Sequence, residues 1–504
     1  MTSLRNRNGD REGKFAGNKP ERAIIDIGSN TVRMVLYGGS PRAPVVLLNE
    51  KVVARLGRDI AATGRLAEAA MDLALRGLAR YALILNDLGI DDIEVVATAA
   101  VREADNGPEF LRQIELLGLT PRLLSGEEEA RTSAMGVIGA FPGGAGVVAD
   151  LGGGSLELVQ ISGGQCTIGT SLPLGTLRLP EIRGDSPAES RRAAAKILKA
   201  AGWGDATGGA LYLVGGTWRA IAAYAMAEGR HPLSDPHGFE LSVEAALELA
   251  CTLAQSDPSD LHKSPRISSL RSASMPDAAA LLMALVKKLE PDRIVFSSWG
   301  LREGLLYDRL EPFAQGQDPL LAGVAVFSAS RGCPPTLAAR VAAWTVGALP
   351  AHAKGSERLR LAATMLALAS MQSEPNLRTA QVIDWALQKR WIAIDAAGRA
   401  VLAAAVCGNA NKRDLPPGLR QLAPADALDD AAGWGLAIRL CRRLGALSRK
   451  SLQSSRIEIS EGKLILTLEQ SHSALLGAPN EKDLRLLAEH LGLTSEVRVV
   501  ADSE

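Results

Sequence analysis

The chain is poor in the residues that most often announce chemistry. Aromatics are 4% of its 504 residues, so a stacking pocket for a nucleobase has few side chains to draw on. There are six histidines and no His-Asp dipeptide, which argues against a histidine-rich metal centre. The five cysteines (Cys166, Cys251, Cys333, Cys407 and Cys441) contain no Cys-x-x-Cys pair. They read as reduced packing residues of a cytoplasmic protein, not as a disulfide frame or a zinc site. A charge excess is missing too: Lys plus Arg and Asp plus Glu are both 56. That balance argues against a nucleic-acid coat but leaves room for a local basic groove. No apolar run is long and uncharged enough to span a bilayer, so no membrane role is expected. Residues 1–22 are polar and hold no apolar segment; they read as a disordered leader and not as a secretory signal.

What remains is an ordinary globular composition, 47% hydrophobic and 22% charged, on a chain too long for one core. The pattern from Ala23 to about Leu48 alternates as strand, turn, strand. Residues 65–88 carry apolar side chains at helical spacing, and 93–101 read as a strand followed by a loop. Over 125–140, "SGEEEARTSAMGVIGA" predicts a helix that Ser125 caps, with acids in its first turn. A second hairpin begins at Val147, and residues 186–201 read as a helix. Both 210–226 and 292–310 read as strand, glycine turn, helix. Beyond Glu311 the chain turns alanine-rich and helical, with breaks at Pro334, Pro350, Pro375 and Pro416. Residues 456–470 predict a strand pair about Glu461-Gly462, followed by a helix ending at Gly492 and a last strand.

One pattern occurs twice. "DIGSNT" (26–31) and "DLGGGS" (150–155) each put an Asp at a strand end and follow it with a glycine-bearing turn. Taken alone, either is equally a plain hairpin turn. As a pair they predict two cradles of backbone N–H groups, facing across a cleft and closing on a polyphosphorylated ligand. The first cradle is Gly28, Ser29, Asn30 and Thr31; the second is Gly152, Gly153, Gly154 and Ser155. Carboxylates beside such cradles, Asp26 and Asp150, call for a cation between them and the phosphates, so Mg²⁺ held partly through water is expected.

This arrangement resembles the actin-like ATPase superfamily. More narrowly, "DIGSNTVRMVLY", "TAAVREADNGPEFL", "LLSGEEEARTSAMGV", "VADLGGGSLELV", "SLPLGTLRL" and "LREGLLYDRL" follow in the order and spacing of the exopolyphosphatase and guanosine pentaphosphate phosphatase family. The likeness runs through residues 23–312. It implies an α/β fold of two actin-like (ribonuclease H-like) lobes around a cleft, lobe I over 23–132 and lobe II over 133–312. An α-helical HD-related region over 313–450 and a small α+β unit over 451–504 would follow. It also implies a homodimer.

Residue by residue, the resemblance assigns the catalytic glutamate to Glu129 and a second glutamate, Glu157, to placing metal or water. Arg102 matches a phosphate-binding arginine, and Arg271 stands as a further candidate. Hydrolysis of a phosphoanhydride asks for such a base, since the attacking water must be aligned in-line and lose a proton. Glu127 and Glu128 read as helix-start acids. Gly215 and Gly216, in "LVGGTWRAIAA", read first as strand–helix packing. The helical region lacks the histidines an HD metal site needs. Its basic residues Lys412, Arg413, Arg442 and Arg443, with Arg439, Arg449 and Lys450, read either as a solvated face or as a polyphosphate channel. The expected activity is Mg²⁺-dependent exopolyphosphatase, removing terminal phosphate from inorganic polyphosphate. The alternative substrate is guanosine pentaphosphate (pppGpp), and a non-catalytic polyphosphate or nucleotide sensor is a third reading.

Overall fold

The computed structural model describes residues 19–353, 357–412 and 414–502. Arg413 and most of the expected leader, residues 1–18, lie outside them. The chain divides into two compact units, one running to Arg230 and resuming over Pro236–Gln317, the other combining His231–Asp235 with the chain from Asp318 onward.

In the first unit, β1 (Arg22–Ile27), β2 (Val32–Ser40), β3 (Ala43–Val52), β4 (Ile93–Ala97) and β5 (Pro121–Leu123) form a sheet of order β3-β2-β1-β4-β5. The second stretch of the expected hairpin splits at Pro41-Arg42, so three antiparallel strands stand where two were expected. β4 and β5 continue parallel to β1. The second sheet uses β6 (Gly146–Leu151), β7 (Leu156–Ser162), β8 (Gln165–Cys166), β9 (Thr170–Leu172), β10 (Ala210–Val214), β11 (Glu240–Leu241) and β12 (Arg293–Ser297). Its order is β11-β12-β10-β6-β7-β8, with β9 beside β7. β6 and β7 are antiparallel, while β10 and β12 run parallel to β6 and to each other. The same device is thus built twice: a hairpin, then parallel crossovers on one side of it. The α/β architecture of two actin-like lobes follows.

A loop expected after β4 is instead the short helix Ala99–Glu103. Its alanines favour the helix, and the N–H groups of Val101 and Arg102 bond the Thr98 carbonyl.

The two lobes exchange helices. Helix Gly126–Ala140 follows β5 of the first sheet yet lays Ala134 and Val137 on Val148, Val159 and Tyr212 of the second. Helix Leu301–Asp308 follows β12 of the second sheet yet packs Leu305 and Leu306 on Ile24, Val35 and Val96 of the first. The two helices cross through Gly136 and Gly304, where any Cβ would overlap the facing backbone, of Gly300 in the one case and of Thr132 in the other. Helix Gly126–Ala140 runs unbroken through the lobe boundary expected at residues 132 and 133. On the outer face of the second sheet, helix Met275–Leu289 is apolar nearly all round and buried along almost its whole length.

The second unit is helical, with helices Pro319–Ala329, Pro335–Thr345, Glu357–Ala369, Pro375–Leu387, Ala396–Asn409 and Ala425–Gly445; those at Pro335 and Pro375 start next to or at expected proline breaks, while those at Pro319 and Ala396 start at none of them. β13 (Ser455–Ser460), β14 (Lys463–Glu469), helix Ala478–His490 and β15 (Thr494–Val500) complete it. β13 and β14 turn at Glu461 and Gly462, whose φ angles of 47° and 73° suit a tight hairpin. Three cysteines are buried and Cys166 is partly so, but Cys251 is exposed, so packing does not account for all five. Among the described residues no helix is long and apolar enough to cross a membrane.

Candidate active site

The two hairpin turns have one geometry. Asp26 stands opposite Arg33 in the first register, and Asp150 opposite Glu157 in the second. Gly28 N–H bonds the Thr31 carbonyl at 3.0 Å, and Gly152 N–H bonds the Ser155 carbonyl at 3.0 Å. Both turns are braced alike. The carbonyls of Asn30 and Ser29 accept from Arg55 and Gly57 at 3.0 and 2.9 Å; those of Gly152 and Gly153 accept from Thr176 and Leu177 at 3.0 and 2.9 Å. No acceptor within the described residues takes the N–H of Ser29, Asn30, Gly153 or Gly154. Carbonyls are therefore consumed by the scaffold and amides are left as donors, the condition for a nest that binds an anion.

The turns meet. A Cβ on Gly153 would stand 2.9 Å from Ser29 Cβ, and one on Gly154 would stand 2.9 Å from Ser29 Oγ. None of Gly28, Gly152, Gly153 and Gly154 has a positive φ. Gly153 and Gly154 need glycine for the close approach of the two loops, not for an unusual backbone, whereas a Cβ on Gly28 or Gly152 would meet only atoms of its own hairpin.

Between the turns lies a cleft of about 170 Å³. Gly28, Ser29, Asn30, Thr31, Gly152, Gly153, Gly154 and Ser155 all line it, as do Asp26, Asp150, Glu129, Glu157 and Arg271. Arg33, Arg219 and Arg302 line it as well, and sequence reasoning did not single these out. Arg33 was recoverable from the repeat, since it holds in β2 the place that Glu157 holds in β7. Arg219 and Arg302 fall in the first turns of helices that follow glycine turns, positions the motifs "GGTWR" and "WGLR" mark. Among the described residues no aromatic side chain lines the cleft.

Glu129 is the inward-facing member of its trio. Ser125 and Glu128 form a reciprocal cap: Glu128 N–H donates to Ser125 Oγ at 3.1 Å, and Ser125 N–H donates to Glu128 Oε2 at 2.8 Å. Glu127 and Glu128 are exposed, whereas the helical rotation turns Glu129 in, to 12% side-chain exposure. Arg102 Nη1 donates to Glu129 Oε2 at 3.0 Å and to the Leu124 carbonyl at 2.8 Å. Arg102, expected to contact phosphate, stands behind Glu129 and is not among the residues lining the cleft. Burial pushes the Glu129 carboxyl up to about 7; the Arg102 charge opposes this, while Asp150 and Asp26 add to it.

The remaining acids are buried and crowded. Burial raises Glu157 well above the usual carboxylate range, helped by Glu129 and Asp150; Ser171 Oγ donates to its Oε1 at 3.0 Å. Burial also raises Asp150, against the bond it accepts from Ser133 Oγ and the charge of Arg219. Asp26 is raised by burial against Arg302, 4.0 Å away, and Arg33. Such crowding fits a hard, oxygen-preferring cation. Among the described residues, however, no three His, Cys, Asp or Glu side chains converge on one point. Asp26, Asp150 and Glu157 are therefore not a ready-made coordination shell, and an ion here would take one or two carboxylates and complete its sphere with water and ligand oxygens.

Arg271 Nη1 donates to Thr217 Oγ1 at 3.1 Å, and its guanidinium occupies the space a Cβ on Gly216 would fill. Gly215 has a φ of 121° and backs onto the Leu151 backbone. Both glycines are thus packing devices, one for an arginine and one for a strand. The channel candidates belong to the second unit and do not line the cleft. Lys412 is exposed, Arg413 lies outside the described residues, and Arg443 is tied to Asp483 at 2.6 Å.

Comparison with known proteins extends this picture. A model of the Ppx/GppA phosphatase family matches residues 37–313, a span that holds Arg102, Glu129, the second cradle and Glu157. The crystal structure of the Aquifex aeolicus member of the Ppx/GppA family is 26% identical, with a TM-score of 0.51 over 59% of this chain and 98% of its own. An exopolyphosphatase from Cytophaga hutchinsonii is similar in fold, at 23% identity and a TM-score of 0.51 over 59% of this chain and 98% of its own.

Proposed function

This chain belongs to the Ppx/GppA phosphatase family, and we propose that its substrate is inorganic polyphosphate, from which it removes the terminal phosphate. The observation that carries the reading is Glu129: a carboxylate pushed up to about 7, at the edge of a cleft walled by two anion cradles. A base titrating near neutrality holds a proton acceptor ready and gives the proton up again afterwards.

In this reading the last phosphates of the chain lie between the N–H groups of Ser29 and Asn30 on one side and Gly153 and Gly154 on the other. Arg33, Arg271 and Arg302 neutralise the phosphoryl oxygens. Glu129 orients a water and takes its proton as the water oxygen bonds to the terminal phosphorus. The bridging P–O bond breaks, and its electron pair stays on the shortened chain. Arg102 holds the Glu129 carboxylate in place, acting as a positioning residue. Asp26 and Asp150, with Glu157 close by, would hold Mg²⁺, which when bound offsets the charge of acids and phosphates. The absence of an aromatic wall favours a substrate that ends in phosphate alone over one whose base must be stacked.

The test is phosphate release from long-chain polyphosphate, guanosine pentaphosphate and ATP, side by side, with and without Mg²⁺. The expected order of kcat/KM puts polyphosphate first and requires Mg²⁺. A clear preference for guanosine pentaphosphate would contradict the substrate assignment.

A further inference from the structure

Two charged residues of the sequence motifs have no part in the hydrolysis as described: Glu103 in "TAAVREADNGPEFL" and Arg178 in "SLPLGTLRL". Glu103 ends helix Ala99–Glu103, which also carries Arg102, whose Nη1 donates to Glu129 Oε2 at 3.0 Å. A helix of five residues closes too few internal hydrogen bonds to hold its own direction. What it touches therefore decides where Arg102 stands. At its start, Ala99 Cβ lies 3.2 Å from where a Cβ on Gly154 of the second cradle would be. At its end, Arg178 Nη2 donates to Glu103 Oε2. The two side chains are 21% and 31% exposed, so solvent screens the pair only in part.

Arg178 is itself held firmly. Its N–H donates to the Gly175 carbonyl at 2.8 Å, and the two residues before it, Thr176 and Leu177, brace the second cradle through Gly152 and Gly153. Gly175 packs on the backbone of that cradle, where a Cβ would stand 2.3 Å from Gly154 and Ser155 atoms. Thr176 Oγ1 also accepts from Asn30 Nδ2 of the first cradle at 3.4 Å. The segment before Arg178 is thus anchored to both cradles, and Arg178 reaches from it to helix Ala99–Glu103. We propose that Glu103 and Arg178 are positioning residues: their ion pair pins the end of helix Ala99–Glu103 to the brace of the second cradle and so keeps Arg102 on Glu129. Neither residue lines the cleft. The proposal rests on the reading of Glu129 as the base.

The experiment records the pH profile of kcat/KM on long-chain polyphosphate with Mg²⁺ for the full-length wild type, E103Q, R178Q and the double variant, with R102Q and E129Q as references. The midpoint of such a profile does not depend on how much of the enzyme is folded, so a loss of stability does not imitate a shift. Loosening the helix takes the Arg102 charge away from Glu129. Each single variant is therefore expected to move the midpoint up by roughly half a pH unit, a fraction of what an opposite charge at contact distance produces. The double variant is expected to match the singles, because all three break one pair. Asp26, Asp150 and Glu157 also face Glu129 and are unchanged in these variants. A direct charge effect gives a different pattern. Loss of the Glu103 charge would then move the midpoint down, loss of the Arg178 charge would move it up, and the double variant would return towards wild type. That pattern overturns the proposal. So do wild-type midpoints in E103Q and R178Q beside a displaced midpoint in R102Q. Failure of the underlying reading shows separately, as wild-type turnover in E129Q or an unmoved midpoint in R102Q, and leaves the pair nothing to position.

Discussion

At the residue scale, the chemistry turns on which of three adjacent acids faces the cleft. The cap between Ser125 and Glu128 fixes the rotation of the helix, and that rotation exposes Glu127 and buries Glu129. Arg102 then sets how readily Glu129 ionises. Its positive charge lowers the carboxyl against the burial that raises it to about 7. Removing the charge in R102Q should therefore raise the Glu129 pKa further. The expected result is a pH profile of kcat/KM that still climbs with rising pH but has its midpoint displaced to higher pH. An arginine that served only to bind phosphate would weaken KM and leave the midpoint in place. The Ser-x-x-Glu spacing of the cap was legible in the sequence. The Arg102–Glu129 pair was not, because 27 positions and a strand separate the partners, and the family resemblance tied Arg102 to phosphate.

At the scale of elements, the doubled hairpin was legible because its period-2 alternation and its Asp and Gly positions recur. What the glycines do there was not. Sequence reasoning gave them to cradles of backbone N–H groups; the structure gives Gly153 and Gly154 also to the approach of Ser29. Hence G153A should cost about 1–3 kcal/mol of stability through overpacking, measured by denaturant unfolding, and should raise KM by prising the cradles apart. A variant with wild-type stability and KM would mean that the loops do not touch in solution. The helix Ala99–Glu103 escaped notice because five residues hold too little periodicity to be told from a loop.

At the scale of the molecule, the exchange of helices Gly126–Ala140 and Leu301–Asp308 between the two sheets makes the lobes one unit. It also places Glu129 and Arg302 on elements that cross between them. No local pattern announces such an exchange, since an apolar helix face looks the same whichever sheet it meets. The composition shift after Glu311 did announce the helical character of the chain beyond it. It could not announce that His231–Asp235 belongs with it, where Asp235 pairs with Arg390 at 2.6 Å and Ser234 N–H bonds Gln388 at 3.1 Å. The assignment of the whole molecule to hydrolysis, against mere binding of polyphosphate, rests on Glu129 acting as a base. The most direct measurement is E129Q, assayed with long-chain polyphosphate and Mg²⁺ for both affinity and phosphate release. We expect affinity within a few-fold of wild type and turnover lower by about 100-fold or more, the contribution of a positioned base. Turnover equal to wild type would contradict the account.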